Sequence, residues 1–438
     1  RETLLQAMPH ISWPMRFVLP HHSGLRPAWF LRLGLFIYDH LGGRKLLPPT
    51  RSVDLKTDPV GVPLKDDFRK AFEYSDCWVE DSRLVVLNAR DAADRGADVR
   101  TRTSCDHAER VEGIWRVTLR DVDSGAKTTI QAKALVNAGG PWVDQVIQNR
   151  LGINMSDRIR LVRGSHIVTK KLFDHPQSYI FQNADGRIVF AIPYENDFTL
   201  IGTTDVDHED APENVTCTPE ESDYLRKSAS EYFKRPIEEA DVVWTYSGVR
   251  PLYDDGAKSA TAATRDYVLK VEDRDGDAPL LSIFGGKITT YRRLAEAALE
   301  KLTPYFPKMR RDWTATEALP GGDFKYTDFD RLVTELRIAH PWVDDVWARR
   351  LVRAYGTQTR ALLEGATRKS DLGEAFGWNL TAREVDWLMD REWACSAKDV
   401  LWRRSKMGLR FSSTEVSALE NYMAARLARM GDRKAASS

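Results

Sequence analysis

A chain of 438 residues, 42% of them hydrophobic and 29% charged, has room for two or three domains with ample core. Its 64 Lys and Arg are matched by 64 Asp and Glu, so no net field exists to drive wholesale nucleic-acid binding, and no nucleic-acid partner is expected. No apolar run reaches the roughly 18 residues that a membrane-spanning helix needs, and the scattered Cys77, Cys105, Cys217 and Cys395 read as reduced thiols, neither a zinc site nor a disulfide frame.

The chain opens on Arg1-Glu2-Thr3-Leu4-Leu5, which reads as the middle of a helix with no signal peptide. Residues 1–72 mix Pro-rich turns with one apolar segment, 29–38, flanked by Arg26, Arg32, Arg44 and Lys45. Lacking a polar face, that segment is expected to be a buried helix; an interfacial anchor with basic flanks is the other reading. A helix is predicted over 81–92, a short strand over 98–103, and a hairpin from 115–121 to 126–133 about Asp123-Ser124-Gly125. Leu135-Val136-Asn137 then runs into Ala138-Gly139-Gly140-Pro141-Trp142: a strand, a Gly-Gly turn and a helix with Pro141 in its first turn.

From 160 to 204 the period is close to two, as in an antiparallel sheet, with the clearest strands at 166–169, 188–194 and 198–203. A helix follows at 220–233 and a strand at 242–246. Residues 266–271 and 278–284 form a hairpin turning at 273–277. That Asp-rich turn lacks the spacing and distal Glu of a calcium loop, and no metal is assigned. Folding about residue 275 sets Arg265 opposite Gly285 and beside Lys287. The last strand feeds Gly285-Gly286 and an amphipathic helix with apolar face Tyr291, Leu294, Ala295, Ala298 and Leu302, capped by Thr289 or Thr290. Such a turn lets backbone approach a flat ligand without an intervening Cβ. The helix N-terminus behind it stabilises negative charge of the kind a reduced flavin develops. Beyond about residue 304, predicted helices at 328–355, 358–366, 381–392, 397–407 and 413–430 make a separate helical domain.

Several strings in this order resemble the aerobic, FAD-dependent glycerol-3-phosphate dehydrogenases, relatives of the D-amino-acid oxidase fold. They are Phe72-Glu73-Tyr74-Ser75-Asp76-Cys77-Trp78, Leu135-Val136-Asn137-Ala138-Gly139-Gly140-Pro141-Trp142 and Arg163-Gly164-Ser165-His166-Ile167-Val168. Ile201-Gly202-Thr203-Thr204-Asp205, Tyr246-Ser247-Gly248-Val249-Arg250-Pro251-Leu252, Thr264-Arg265-Asp266-Tyr267 and Phe284-Gly285-Gly286-Lys287 continue the series, as does the late Leu401-Trp402-Arg403-Arg404-Ser405-Lys406. One departure is that no G-x-G-x-x-G occurs. The sequence reads as the family without its first βαβ unit, which puts FAD binding by this segment alone in question.

The resemblance implies a two-domain α/β (α+β) FAD-dependent oxidoreductase fold, incomplete at its N-terminus, with an antiparallel-sheet substrate domain and a C-terminal helical domain. Its expected division is 1–72 for the N-terminal part of the substrate or cap region, 73–150 for FAD binding and 151–255 for the antiparallel substrate domain. Residues 256–303 then return to the FAD-binding domain, and 304–438 form the helical domain. The implied activity is oxidation of sn-glycerol 3-phosphate to dihydroxyacetone phosphate, with hydride passing to FAD and electrons to a membrane quinone. The implied protein is a homodimer in the cytoplasm, peripherally bound to the inner membrane. A phosphate dianion needs several cations around it, and Arg250, Arg265 and Lys287 are the candidates. His166 is the candidate acid/base. Asn137, Ala138, Gly139, Gly140, Gly285, Gly286, Lys287 and Thr289 are expected to line the cofactor. Two alternatives stand beside this: an amino-acid or amine oxidase of the same fold, with Arg250 holding a carboxylate, and a non-catalytic fragment with an association role.

Overall fold

In a computed structural model, which describes residues 2–40, 46–154, 157–254, 266–273 and 276–436, the period-two segments assemble into one large sheet. Its order is Val206–Asp207, Ile159–Lys170, Phe198–Gly202, Ile188–Tyr194, Ser178–Gln182, Ser12–His21, Lys70–Val79 and Arg51–Asp54; Val242–Tyr253 also pairs with Ile159–Lys170. Neighbours run antiparallel except Ser12–His21 against Ser178–Gln182. One face is sealed by helix Pro219–Ser230, whose Leu225 and Ala229 meet Ile167, Tyr179, Phe181 and Ile201. That helix starts on a capping box between Thr218 and Glu221, a device worth about 1 kcal/mol.

A smaller sheet joins Val268–Glu272, Leu280–Phe284 and Leu135–Asn137, the last two parallel. Both Gly-Gly turns therefore leave the C-terminal ends of adjacent parallel strands, the end at which α/β sheets bind ligands. The sheet Thr103–Val111, Ile114–Asp121 and Lys127–Ala132 packs Ala108, Trp115 and Val117 into one core with Ile147 and Phe284.

Helices Phe329–Ala339, Asp345–Tyr355, Ala382–Glu392 and Ser413–Ala436 enclose a separate core. This domain is fastened to the remainder by Arg83, which donates to Glu392 Oε1 (3.0 Å) and the Ala354 carbonyl (2.8 Å). Arg353 lies 3.9 Å over the Trp13 ring.

Several expected elements change. Residues 98–102 form no strand; the strand begins at Thr103, after Arg102 with φ +53°. The helix expected over 328–355 is two, because Pro341 cannot continue the first. Residues 358–366 contain only the short helix Thr359–Leu362, and 397–407 hold a wide turn of π-helix, Asp399–Arg404. The apolar segment forms helix Ala28–His40, but it is not buried. Trp29, Leu33, Phe36 and Ile37 are 69%, 49%, 56% and 51% exposed, since only one narrow side, including Leu31, rests on the sheet.

Candidate active site

In antiparallel strands, residues directly opposite share a face. The register of Val242–Tyr253 on Ile159–Lys170 sets Trp244 opposite Val168, Tyr246 opposite His166, Gly248 opposite Gly164 and Arg250 opposite Val162. From the other side, Gly202 stands opposite His166. His166 and Arg250 thus lie on one sheet face, with Gly164, Gly202 and Gly248 between and around them. The alternate residues point to the helix-covered face, where Ser165 and Ser247 hydroxyls meet at 2.7 Å.

The missing side chains make room for the functional ones. A Cβ on Gly202 would fall 2.1 Å from His166 Cδ2, and one on Gly164 would fall 2.8 Å from an Arg250 Nη. Arg250 therefore lies over Gly164. It is held there by an ion pair with Asp205 and a 3.3 Å hydrogen bond to the Thr203 hydroxyl. A guanidinium carries five donors, so these contacts orient it and leave others for an anion. The Asp205 loop is anchored from beneath: the Thr204 hydroxyl accepts from Ser165 N–H (2.9 Å) and donates to Glu221 (2.9 Å). Burial disfavours the charged form of Glu221, but hydrogen bonds from Thr218, Thr204 and Arg163 outweigh it and hold its pKa below the ordinary value.

His166 is stacked on Tyr246, with centroids 4.8 Å apart and planes at 6°. Burial, and then the Arg250 charge, lower its pKa to about 4. The imidazole is therefore neutral near pH 7 and able to accept a proton.

The Gly-Gly turn reaches the same region. Gly285 and Gly286 have φ of +72° and +113°, which glycine alone adopts cheaply. A Cβ on Gly285 would lie 3.5 Å from the Pro251 carbonyl, so the turn rests on the strand bearing Arg250. Lys287 follows it and pairs with Asp266 at 3.5 Å. The expected placement of Arg265 opposite Gly285 lies outside the described residues, and the hairpin pairs Val268 with Phe284, where the expected register sets Asp266. Among the described residues no side chain caps helix Tyr291–Leu302, contrary to expectation. A 3-10 turn, Ile288–Thr290, precedes it, leaving Thr289 exposed and the Thr290 hydroxyl donating to the Lys287 carbonyl.

On the neighbouring strand end, Asn137 is buried and locks its own turn, donating to the Val143 carbonyl (2.9 Å) and accepting from Gly139 N–H (3.2 Å). Ala138 is exposed, and Gly140, with φ +53°, faces open space where its Cβ would be. Two stretches of bare backbone at adjacent strand ends fit a flat ring system and its ribityl chain, so the residues present suit the expected flavin. Among the described residues no cluster of metal-ligating side chains occurs.

Asp205, Thr203, Tyr246 and Gly202 were not singled out as site residues from sequence. Each acts across strands, on a partner about 36 to 80 positions away, and such pairings leave no local signal.

The FAD dependent oxidoreductase family matches residues 1–292, and the C-terminal domain of alpha-glycerophosphate oxidase matches residues 313–432. The D-erythritol 1-phosphate dehydrogenase of Brucella abortus is 48% identical over 418 residues, covering 95% of this chain and 83% of that protein. The glycerol-3-phosphate dehydrogenase of Pseudomonas aeruginosa is 48% identical over 423 residues, covering 97% and 82%. In fold, the chain is similar to the X-ray structure of the glycerol-3-phosphate dehydrogenase from Bacillus halodurans complexed with FAD. The TM-score is 0.77 at 23% identity, over 98% of this chain and 79% of that one.

Proposed function

We propose that this chain, which belongs to the FAD dependent oxidoreductase family, oxidises sn-glycerol 3-phosphate to dihydroxyacetone phosphate. The observation that carries the reading is the convergence of a neutral His166 and an oriented Arg250 on one glycine-lined sheet face beside the Gly285-Gly286 turn. FAD, when bound, supplies the acceptor for the hydride that leaves C2.

The chain's own residues do the rest. Arg250, Lys287 and, by the family resemblance, Arg265 pair with the phosphate dianion, whose burial without cations would be very costly. His166 takes the C2 hydroxyl proton at Nε2, since Nδ1 is closed off within the protein. The anion in turn offsets the Arg250 charge that weakens His166, so substrate binding strengthens the base. Asp205 and Thr203 keep Arg250 aimed before substrate arrives.

The relative from Brucella abortus supports a second substrate of the same chemistry, D-erythritol 1-phosphate, which keeps the phosphate and lengthens the polyol. Electrons go on to a membrane quinone. The exposed apolar side of helix Ala28–His40 suits a seat in the membrane surface, and no helix among the described residues is long and apolar enough to cross. The test is reduction of an artificial acceptor by the FAD-loaded protein with sn-glycerol 3-phosphate, D-erythritol 1-phosphate or D-amino acids. Turnover with amino acids and none with the phosphates would refute the proposal.

A further inference from the structure

Four aromatic rings stack in series between the helical domain and the site face. His166 lies on Tyr246 at 4.8 Å, Tyr246 on Trp244 at 5.0 Å, and Trp244 on Trp402 at 4.3 Å. The interplanar angles are 6°, 29° and 29°. Trp402 belongs to the helical domain and is backed by Gly408, where a Cβ would come within 2.3 Å of the indole. The far ring thus packs against both Trp244 and the Gly408 backbone.

At the near end, His166 Nδ1 is buried with no hydrogen-bond partner among the described residues. A reacting histidine is usually fixed in orientation and tautomer by a bond from that nitrogen to a carbonyl or carboxylate. Here, among the described residues, packing takes that part: Tyr246 on one neighbouring strand and the bare Gly202 backbone on the other.

We propose that Trp402 is a positioning residue for the reaction, setting the plane of the His166 imidazole through Trp244 and Tyr246. The helical domain then contributes to the chemistry without touching substrate. This rests on His166 being the proton acceptor.

The test uses the FAD-loaded protein and compares Trp402→Ala, Trp402→Phe, His166→Ala and the double variant His166→Ala/Trp402→Ala. Flavin reduction by sn-glycerol 3-phosphate is followed in single turnover. Separately, the flavin-free chain labelled at histidine Cε1 is examined by NMR, where the Tyr246 ring current marks the His166 signal. Trp402→Ala should slow reduction about tenfold with KM within about twofold, because a tilted reacting group loses rate more than binding. Trp402→Phe should recover most of the rate. The Trp402→Ala penalty should vanish in the His166→Ala background, and the His166 signal should move in Trp402→Ala alone. Should Trp402→Ala lose its fold, Trp244→Leu breaks the same column within the sheet and is read in the same way. An unchanged rate and signal, or a tenfold loss that persists without His166, overturns the proposal. If His166→Ala itself reduces flavin at the parent rate, the reading of His166 as base falls, while the NMR shift still decides whether the column orients the ring.

Discussion

Gly202→Ala adds one carbon at the tightest point of the site. The new Cβ would stand 2.1 Å from His166 Cδ2 and 2.7 Å from Cγ and Nε2, where ordinary contact begins at 3.4 Å. The ring must withdraw by about 1.3 Å in a close-packed setting. Tyr246, stacked on it from the opposite strand, resists that retreat. A misplacement near 1 Å costs on the order of 10²-fold in rate, about 2.7 kcal/mol of transition-state stabilisation. Overpacking adds a loss of stability of about 1–3 kcal/mol. The assay is anaerobic stopped-flow reduction of bound flavin by sn-glycerol 3-phosphate, with flavin content and thermal midpoint as controls. Flavin content should stay level while reduction slows by about two decades. A folded, flavin-loaded Gly202→Ala protein that keeps its rate within threefold would show that the imidazole has no tight positional duty.

Glu392→Ala leaves the buried Arg83 guanidinium without its carboxylate, which should cost about 3–5 kcal/mol in urea unfolding; a cost below about 1 kcal/mol would mean the pair does not fasten the helical domain. Stability should fall as pH drops below 6.5. His10, lowered to about 3 by burial and by Arg83 and Arg353, and His166, lowered to about 4, stay neutral when folded while the unfolded chain takes up protons. The slope is about 1.4 kcal/mol per pH unit for each, the contribution being complete above pH 6.5, and His10→Phe should flatten it between pH 7.5 and 5. An unaltered slope in that variant would remove His10 from the account. Trp29→Glu with Phe36→Glu should abolish cosedimentation with anionic vesicles while turnover with a soluble acceptor persists; undiminished cosedimentation would move the membrane contact elsewhere.

What the sequence made legible was local. The alternation through 160–204, the Gly-Gly turns at 139–140 and 285–286, and the helix at 220–233 are all set by neighbours a few residues apart. The strand Ser12–His21 was hidden by Pro14 and Pro20. Its parallel partner reaches only Phe17 and Val18, so both prolines sit on edge-like ends where a missing N–H is tolerated. The helix Ala28–His40 misled for another reason: an all-round apolar segment signals low polarity nearby and does not distinguish a protein core from a lipid surface. Asp205 was the hardest to see. Its importance comes from meeting Arg250 across 45 positions, and nothing near it in sequence marks that meeting.

The proposed site also contains a conflict that the proposed substrate would resolve. In the proposed reaction Arg250 holds the phosphate, yet its charge, added to burial, keeps His166 at about 4, a weak base for drawing a proton from an alcohol. When the dianion pairs with the guanidinium, that opposing charge is offset and the imidazole gains basicity. The phosphate, remote from C2, then acts on the chemical step as well as on binding. Glycerol, which lacks it, should therefore lose kcat and not only KM. The loss should be at least tenfold in kcat by steady-state assay at saturation, and added inorganic phosphate should restore part of it. D-Erythritol 1-phosphate keeps the anion and should keep the activated base, leaving polyol length alone to separate the two phosphates. If glycerol at saturation turns over as fast as sn-glycerol 3-phosphate, the anion serves only for capture, and the coupling between Arg250 and His166 plays no part in the reaction.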